Sequence, residues 1–419
     1  MALVSSCADA DKAMNFPENS EPPNILLIIA DDLGKDAISG FNEGILKPNT
    51  PNIDAIRNNG ISFSNFWVYP TCSPTRASII TGKYGYRTNV KTAGDELSSS
   101  EMTLQKHIKN QTSQQYASAV IGKWHLSGVS SSIDQEAFGL DYFAGIIRGA
   151  VEDYYQWSMN ENGVNSTQTT YSSTVFTDLS INWINQQSKP WFLWLAYNAP
   201  HTPFHVPPSE MHSQGALPTY TPDKDPLPYY LAAIEAMDHQ IGRLIESIPE
   251  EQKDNTIIIF LGDNGTPAVV AQSPYSSSTA KNTLYQGGIN TPLFISGKGV
   301  SRTGIVSNLI TGTDLFATIS EIAGINSPII NDSKSFKSLF TQSTAIRNFQ
   351  YAEMNNGLVD QWTIRKDRFK LFLDDNGNQV LYDLENDPYE TIDLWQGNLT
   401  TEALNAKNEL EVELTNIRN

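Results

Sequence analysis

The sequence predicts an α/β fold: a large, mostly parallel sheet flanked by helices, followed by a small C-terminal α+β subdomain carrying an antiparallel sheet. Three observations point there. Strand-length apolar runs stop abruptly at polar residues, as in "NILLIIADD" (Asn24 to Asp32), "KPWFLWLAYNAPH" (Lys189 to His201) and "NTIIIFLGDNG" (Asn255 to Gly265). Such runs read as strands buried on both faces. Helical patterns separate them. "TPNIDAIRNNG" (Thr50 to Gly60) opens on Thr-Pro and closes on glycine, and Ile234, Met237, Ile241, Leu244, Ile245 and Ile248 recur at helical spacing. Strands alternating with helices argue for a parallel sheet covered on both sides. Near residue 340 the texture changes: "QWTIRKDRFKLFLDDNGNQVLYDLENDP" alternates in short runs around a D-N-G-N turn, the pattern of an antiparallel hairpin, and "TEALNAKNELEVELTNI" reads as a terminal helix.

The remaining elements follow in order. "YASAVIGKWH" is a strand running into a loop, and "TPLFISG" is one more strand. In "YPTCSPTRASIITGKY", Ser73-Pro74 suits a helix start. The expected organisation is a polar tether at 1–23, a catalytic unit at 24–330 and the C-terminal subdomain at 331–419. "LVSSC" (Leu3 to Cys7) looks like the end of a bacterial lipoprotein signal, which suggests a lipid anchor at Cys7 and a periplasmic or extracellular location.

Composition narrows the function. The 419 residues are 39% hydrophobic, enough for a substantial core, and carry a net charge of −18. That surface repels nucleic acid and anionic lipid, so an anionic substrate needs a local basic pocket. Two cysteines exclude a disulfide framework, and no apolar run is long enough to span a membrane.

Two predicted strands end in Asp31-Asp32 and Asp263-Asn264. Sites in parallel sheets form beyond the carboxyl ends of strands, which brings both pairs to one edge. Three carboxylates and an amide oxygen suit a hard divalent cation, Ca²⁺ or Mg²⁺; each pair taken singly reads as turn chemistry, and it is the two together that point to a metal. Cys72 stands before a helix start, where backbone N–H groups favour anions and depress a thiol's pKa, with Arg76 about a turn on. A small buried hydrophobe beside a structural arginine is the plain alternative. Lys123 and His125 share a face just past a strand. His201 follows another strand between prolines, and Lys281 precedes a Gly-Gly turn.

The ordered set "ADDLG", "CSPTRASIITGKY", "GKWHL", "APHTPF", "GDNG", "KNTLYQGG" and "LYDLENDPYET" resembles the type I sulfatases of the alkaline phosphatase superfamily, whose signature is C-x-P-x-R. The resemblance runs from Asn24 to Leu394. It implies that Cys72 is oxidised to formylglycine by a dedicated maturation enzyme, and that Ca²⁺ or Mg²⁺ is held by Asp31, Asp32, Asp263, Asn264 and residue 72. Arg76 would support the aldehyde hydrate, and Lys123, His125, His201 and Lys281 would surround the sulfate. One hydroxyl of the hydrate attacks sulfur with Asp263 as base. His201 or Lys281 serves as acid for the leaving alcohol, and His125 helps expel sulfate. The implied substrates are sulfated mono- or oligosaccharides from polysaccharide breakdown. A phosphomonoester or phosphonate-ester hydrolase on the same fold, and a non-catalytic sulfated-glycan-binding protein with unmodified Cys72, are the alternatives. Gln286 and Asn290 depart from the family's usual Glu and basic residue, which leaves the hydrogen bonding of Lys281 open. Trp67, Arg148, Trp157 and His205 are candidate sugar contacts, with core packing or surface placement the plainer role for each.

Overall fold

The structure is a computed structural model that describes residues 21–355, 357–397 and 399–419. Cys7 and nearly all of the expected tether lie outside the described residues. Ten strands form the main sheet: β1 (Asn24–Ala30), β2 (Gly60–Phe63), β3 (Ala117–Lys123), β4 (Tyr142–Ile146), β5 (Trp157–Glu161), β6 (Val164–Gln168), β7 (Trp191–Tyr197), β8 (Thr256–Gly262), β9 (Leu293–Gly297) and β10 (Gly304–Val306). Their order is β10-β2-β9-β8-β1-β7-β3-β4-β5-β6. The central block β8-β1-β7-β3-β4 is entirely parallel. The "TPLFISG" strand, β9, pairs antiparallel with both its neighbours, and β5 and β6 add an antiparallel hairpin at the far edge.

The apolar runs are continuous because both faces are covered. Ile25, Leu27 and Ile29 of β1 point into one core and Leu26, Ile28 and Ala30 into the other. Helix α1 (Pro51–Asn58) follows β1, and α2 (Cys72–Thr81) lies on the first face. Helices α3 (Ser172–Ile184) and α4 (Leu227–Ser247) cover the second. In α4, Ile234, Met237, Ile241 and Leu244 are fully buried. Ile248 caps the helix rather than continuing it.

Every residue of α2 is buried, polar ones included, so it runs through the interior instead of over the surface. It stops at Gly82, whose φ of 65° is left-handed and whose absent Cβ would come within 2.9 Å of Phe316. The C-terminal sheet is a four-stranded antiparallel meander, β11 (Gln350–Asn355), β12 (Asp360–Lys366), β13 (Phe369–Asp374) and β14 (Gln379–Asp383). The D-N-G-N turn joins β13 to β14, with the Asp374 carboxylate accepting from the backbone of Asn376 and Asn378. Helix α5 (Thr401–Arg418) packs Ala403, Leu410 and Leu414 against this sheet. Among the described residues, no helix is long and apolar enough to cross a membrane.

Candidate active site

Parallel pairing sets the register that builds the site. Ala30 of β1 pairs with Gly262 of β8, so Asp31-Asp32 and Asp263-Asn264 emerge side by side from adjacent strands. The Asp263 N–H donates to Ala30 O (3.1 Å) and the Asp32 N–H donates to Asp263 Oδ1 (3.0 Å). Oxygen atoms of Asp31, Asp32 and Asp263 lie within 4.8 Å of one another. Asp32 has a left-handed φ of 70°, and its carbonyl accepts from Tyr230 on α4 (2.7 Å).

Three cations answer these carboxylates. Arg76 donates through Nε (3.1 Å) and Nη2 (2.8 Å) to Asp263 Oδ2 and through Nη1 to Lys123 O (2.7 Å). Lys123 Nζ donates to Asp31 Oδ2 (2.7 Å), and Lys281 Nζ to Asp32 Oδ1 (2.5 Å). Burial alone would lower the pKa of Lys123, but Asp31 and Cys72 outweigh it and the pKa is raised. Burial likewise opposes ionisation of Asp32, yet Lys281, His201 and Lys123 hold its carboxyl well below the usual range.

Cys72 opens α2 with its Sγ 3.1 Å from His125 Nδ1. The expectation of a depressed thiol pKa is corrected: desolvation pushes the thiol up, and Asp31 and Asp263 oppose the pull of Lys123. Burial is the largest cause, and the neighbouring carboxylates add to it. His125 is held neutral, its pKa brought down to about 2 by burial and by Lys123 and Arg76. Ser73 Oγ donates to the His125 carbonyl (2.8 Å) and accepts from Gly94 N–H (2.9 Å), fixing the strained loop in which His125 has φ 57°. His201 Nδ1 donates to Thr202 O (2.7 Å), which leaves Nε2 facing Asp32 Oδ2 at 3.7 Å.

All the residues expected at the site therefore meet there. Arg76, expected to support the aldehyde hydrate, donates to Asp263 and to the Lys123 carbonyl. Of the candidate sugar contacts, Trp67 and Trp157 are core residues, each 1% exposed. His205 stacks on Tyr154 at 3.6 Å and meets Tyr171 OH at 3.1 Å. Arg148 alone is exposed. The sequence reading missed Ser73 and Tyr230; adjacency to Cys72 was the one signal for Ser73, and Tyr230 carried none.

The family model for sulfatases matches residues 23–325. The chain belongs to the sulfatase family of enzymes. A second model, N-sulphoglucosamine sulphohydrolase C-terminal, matches residues 279–419. The uncharacterized sulfatase YdeN of Escherichia coli is 28% identical over 368 residues, 73% of this chain and 63% of the relative. The arylsulfatase of Klebsiella aerogenes is 28% identical over 413 residues, 73% of this chain and 88% of the relative. The structure of Ps i-CgsB has a TM-score of 0.78 at 26% identity, covering 93% of this chain and 92% of that one. The structure of BT4656 in complex with its substrate D-glucosamine-2-N,6-O-disulfate has a TM-score of 0.76 at 20% identity, covering 95% and 97%, a likeness of fold.

Within this sulfatase-family chain the two departures form a connected pair. Asn290 Nδ2 donates to Gln286 Oε1 (2.8 Å), and Asn290 Oδ1 accepts from Lys35 Nζ (2.7 Å). Lys35, just past β1, thus joins an amide pair at these two positions. Lys281 takes no part in it and is bonded to Asp32.

Proposed function

We propose that this enzyme hydrolyses sulfate monoesters of carbohydrates at residue 72, which acts as formylglycine. The observation that carries the reading is the meeting of Cys72 and His125 (3.1 Å) with a buried cluster of three carboxylates and three cations. The donor set fits a divalent cation of the calcium or magnesium kind. Buried Asp31 Oδ1 and Asn264 Oδ1 have no hydrogen-bond partner among the described residues, so both are available as oxygen ligands. Asp31, Asp32, Asp263, Asn264 and residue 72 would hold the ion, which supplies positive charge against the oxygens of a bound sulfate. The hydrated aldehyde supplies a hydroxyl nucleophile and a second hydroxyl through which the aldehyde re-forms.

The chain's own residues do the rest. Lys123 and Lys281 offset the repulsion between an anionic ester and an incoming oxygen. Arg76 fixes the Asp263 carboxylate, the base for the attacking hydroxyl. With Nδ1–H committed to Thr202 O, His201 turns Nε2 toward one oxygen of Asp32 while Lys281 Nζ bonds the other, and these two groups are the donors for the leaving alcohol. His125 Nδ1, 3.1 Å from Sγ of residue 72, stands where it can take the hydroxyl proton as sulfate leaves. The catalytic unit is residues 24–330, with 331–419 the C-terminal subdomain. A sulfated mono- or oligosaccharide is the substrate, supported by the sulfated sugar that BT4656 binds. A maturation enzyme that oxidises Cys72 is the implied partner, and export with a lipid anchor at Cys7 fits a polysaccharide-degrading role. Parallel assays with p-nitrophenyl sulfate and p-nitrophenyl phosphate test the reading. Faster turnover of the sulfate supports it; preference for the phosphate, or a residue-72 peptide that keeps its thiol mass in a fully active preparation, overturns it.

A further inference from the structure

The sheet splits at its active-site edge, beside His125. β4 is parallel to β3, so its end at Ile146 lies on the same edge as Lys123. The chain then stays with the catalytic loop: Trp124 N–H donates to Ile146 O (2.9 Å) and His125 N–H to Ile147 O (3.0 Å). β5 does not follow. It pairs with β4 only at Ala144–Glu161 and Gly145–Asn160, while its pairing with β6 continues for the full strand. Where β4 and the β5–β6 hairpin diverge, a cavity of about 470 Å³ opens. That volume lies within the ~300–1,000 Å³ of small-ligand clefts.

The cavity adjoins the catalytic imidazole. Gly149 passes over the His125 ring so closely that a Cβ there would lie 2.5 Å from Cε1 and Nε2. Its neighbours Arg148 and Ala150 line the cavity. Ile146 and Met159, whose side chains enter the core, line it together with Ser158 and Thr167, cross-strand partners on β5 and β6. No side-chain hydrogen bond to the described residues engages either hydroxyl. On the rim, the Arg148 guanidinium donates through Nη2 to Val129 O (3.1 Å). No described carboxylate lies within ion-pair reach of it, on a chain with a net charge of −18. Glu152 lines the same rim. A matching ligand offers an anion to Arg148, hydroxyl donors to Glu152, and hydroxyls to Ser158 and Thr167. A sugar ring with an acidic substituent offers all three.

We propose that this cavity is the subsite for the sugar unit joined to the one desulfated, and that Arg148 selects oligosaccharides bearing a second anion, a carboxylate or sulfate, on that unit. This rests on the hydrolase reading above. The test is calorimetric titration of the calcium-loaded Cys72→Ser form with disulfated chondroitin and heparan disaccharides, each carrying a uronate, and with inorganic sulfate. The expected result is that at least one disaccharide binds more tightly than inorganic sulfate. Adding Arg148→Ala weakens that binding about tenfold, close to 1.4 kcal/mol, without changing the affinity for inorganic sulfate. Thr167→Trp, which fills the cavity from its exposed wall, abolishes the disaccharide advantage. Equal disaccharide affinity with and without Arg148, or binding of inorganic sulfate but of no disaccharide, overturns the subsite and leaves the hydrolase standing. Arg148-dependent binding in a protein whose Cys72 form turns over no aryl sulfate would keep an acidic-sugar cavity and remove the hydrolase, and with it the cavity's role as a subsite.

Discussion

Two buried lysines in this chain meet opposite fates. Lys123 is completely buried and donates to the Asp31 carboxylate, which keeps it charged. Lys35, three residues beyond Asp32 and 3% exposed, donates instead to neutral oxygens, Ser64 O and Asn290 Oδ1, both at 2.7 Å. Burial brings its pKa down to about 7, only partly countered by Glu43. Burial is thus not what makes the first region a reactive site. Carboxylates delivered in register by β1 and β8 keep cations charged there, and the protein accepts the desolvation of three ion pairs to concentrate charge where an anionic ester must bind. The Lys35 region is hydrogen-bonded packing around a cation that the interior disfavours.

The largest expected break removes the chemistry and leaves both regions folded. Cys72→Ser should lower sulfate-ester turnover by about 10⁴-fold or more, with an unchanged circular dichroism spectrum. Near-native turnover would separate the cluster from the reaction. Asp263→Ala comes next, because it strands the buried Arg76 guanidinium. Chemical denaturation should show a loss of about 3–5 kcal/mol, together with loss of bound cation; full cation content would take Asp263 off the ligand set. Lys281→Ala, at a partly exposed position, should cost about 10²–10³ in kcat with little change in stability. A change in KM alone would make Lys281 a binding group only.

The smallest effect sharpens the contrast. The folded-state pKa of Lys35 lies below its unfolded value, so between pH 7 and about 10.5 the unfolded chain holds a proton that the folded chain lacks. Its contribution to stability is therefore present at high pH and lost as pH falls toward 7. Lys35→Met should remove that slope from the denaturation free energy and change stability at pH 7 by no more than about 2 kcal/mol. A slope that survives the substitution would assign the pH dependence elsewhere.

The cluster of carboxylates and Cys72 was legible in the sequence because each part is a local pattern at a strand or helix end: an apolar run stopped by Asp31-Asp32, another by Asp263-Asn264, Cys72-Ser73-Pro74 opening a helix. The parallel sheet that aligns them follows from alternation of strands and helices. Lys35 was not legible. Its partners, Ser64 and Asn290, lie 29 and 255 positions away, and only the Asn290 departure hinted at a local rearrangement. The β5–β6 hairpin escaped for a related reason. β6, "VNSTQ", is exposed along almost its whole length, so it carries no burial alternation to read. The thiol's direction of shift also needed three dimensions, since the carboxylates that oppose its ionisation come from β1 and β8.

The central claim is that these strand ends make one cation-holding site against residue 72. Titration of the chelator-stripped protein with calcium tests it most directly, with Asp31→Asn and Asp263→Asn forms alongside. The account predicts one saturable site per chain, weakened by each substitution, with sulfate-ester hydrolysis restored in proportion to its occupancy. Binding that neither substitution alters, or full hydrolysis by the stripped protein, would contradict it.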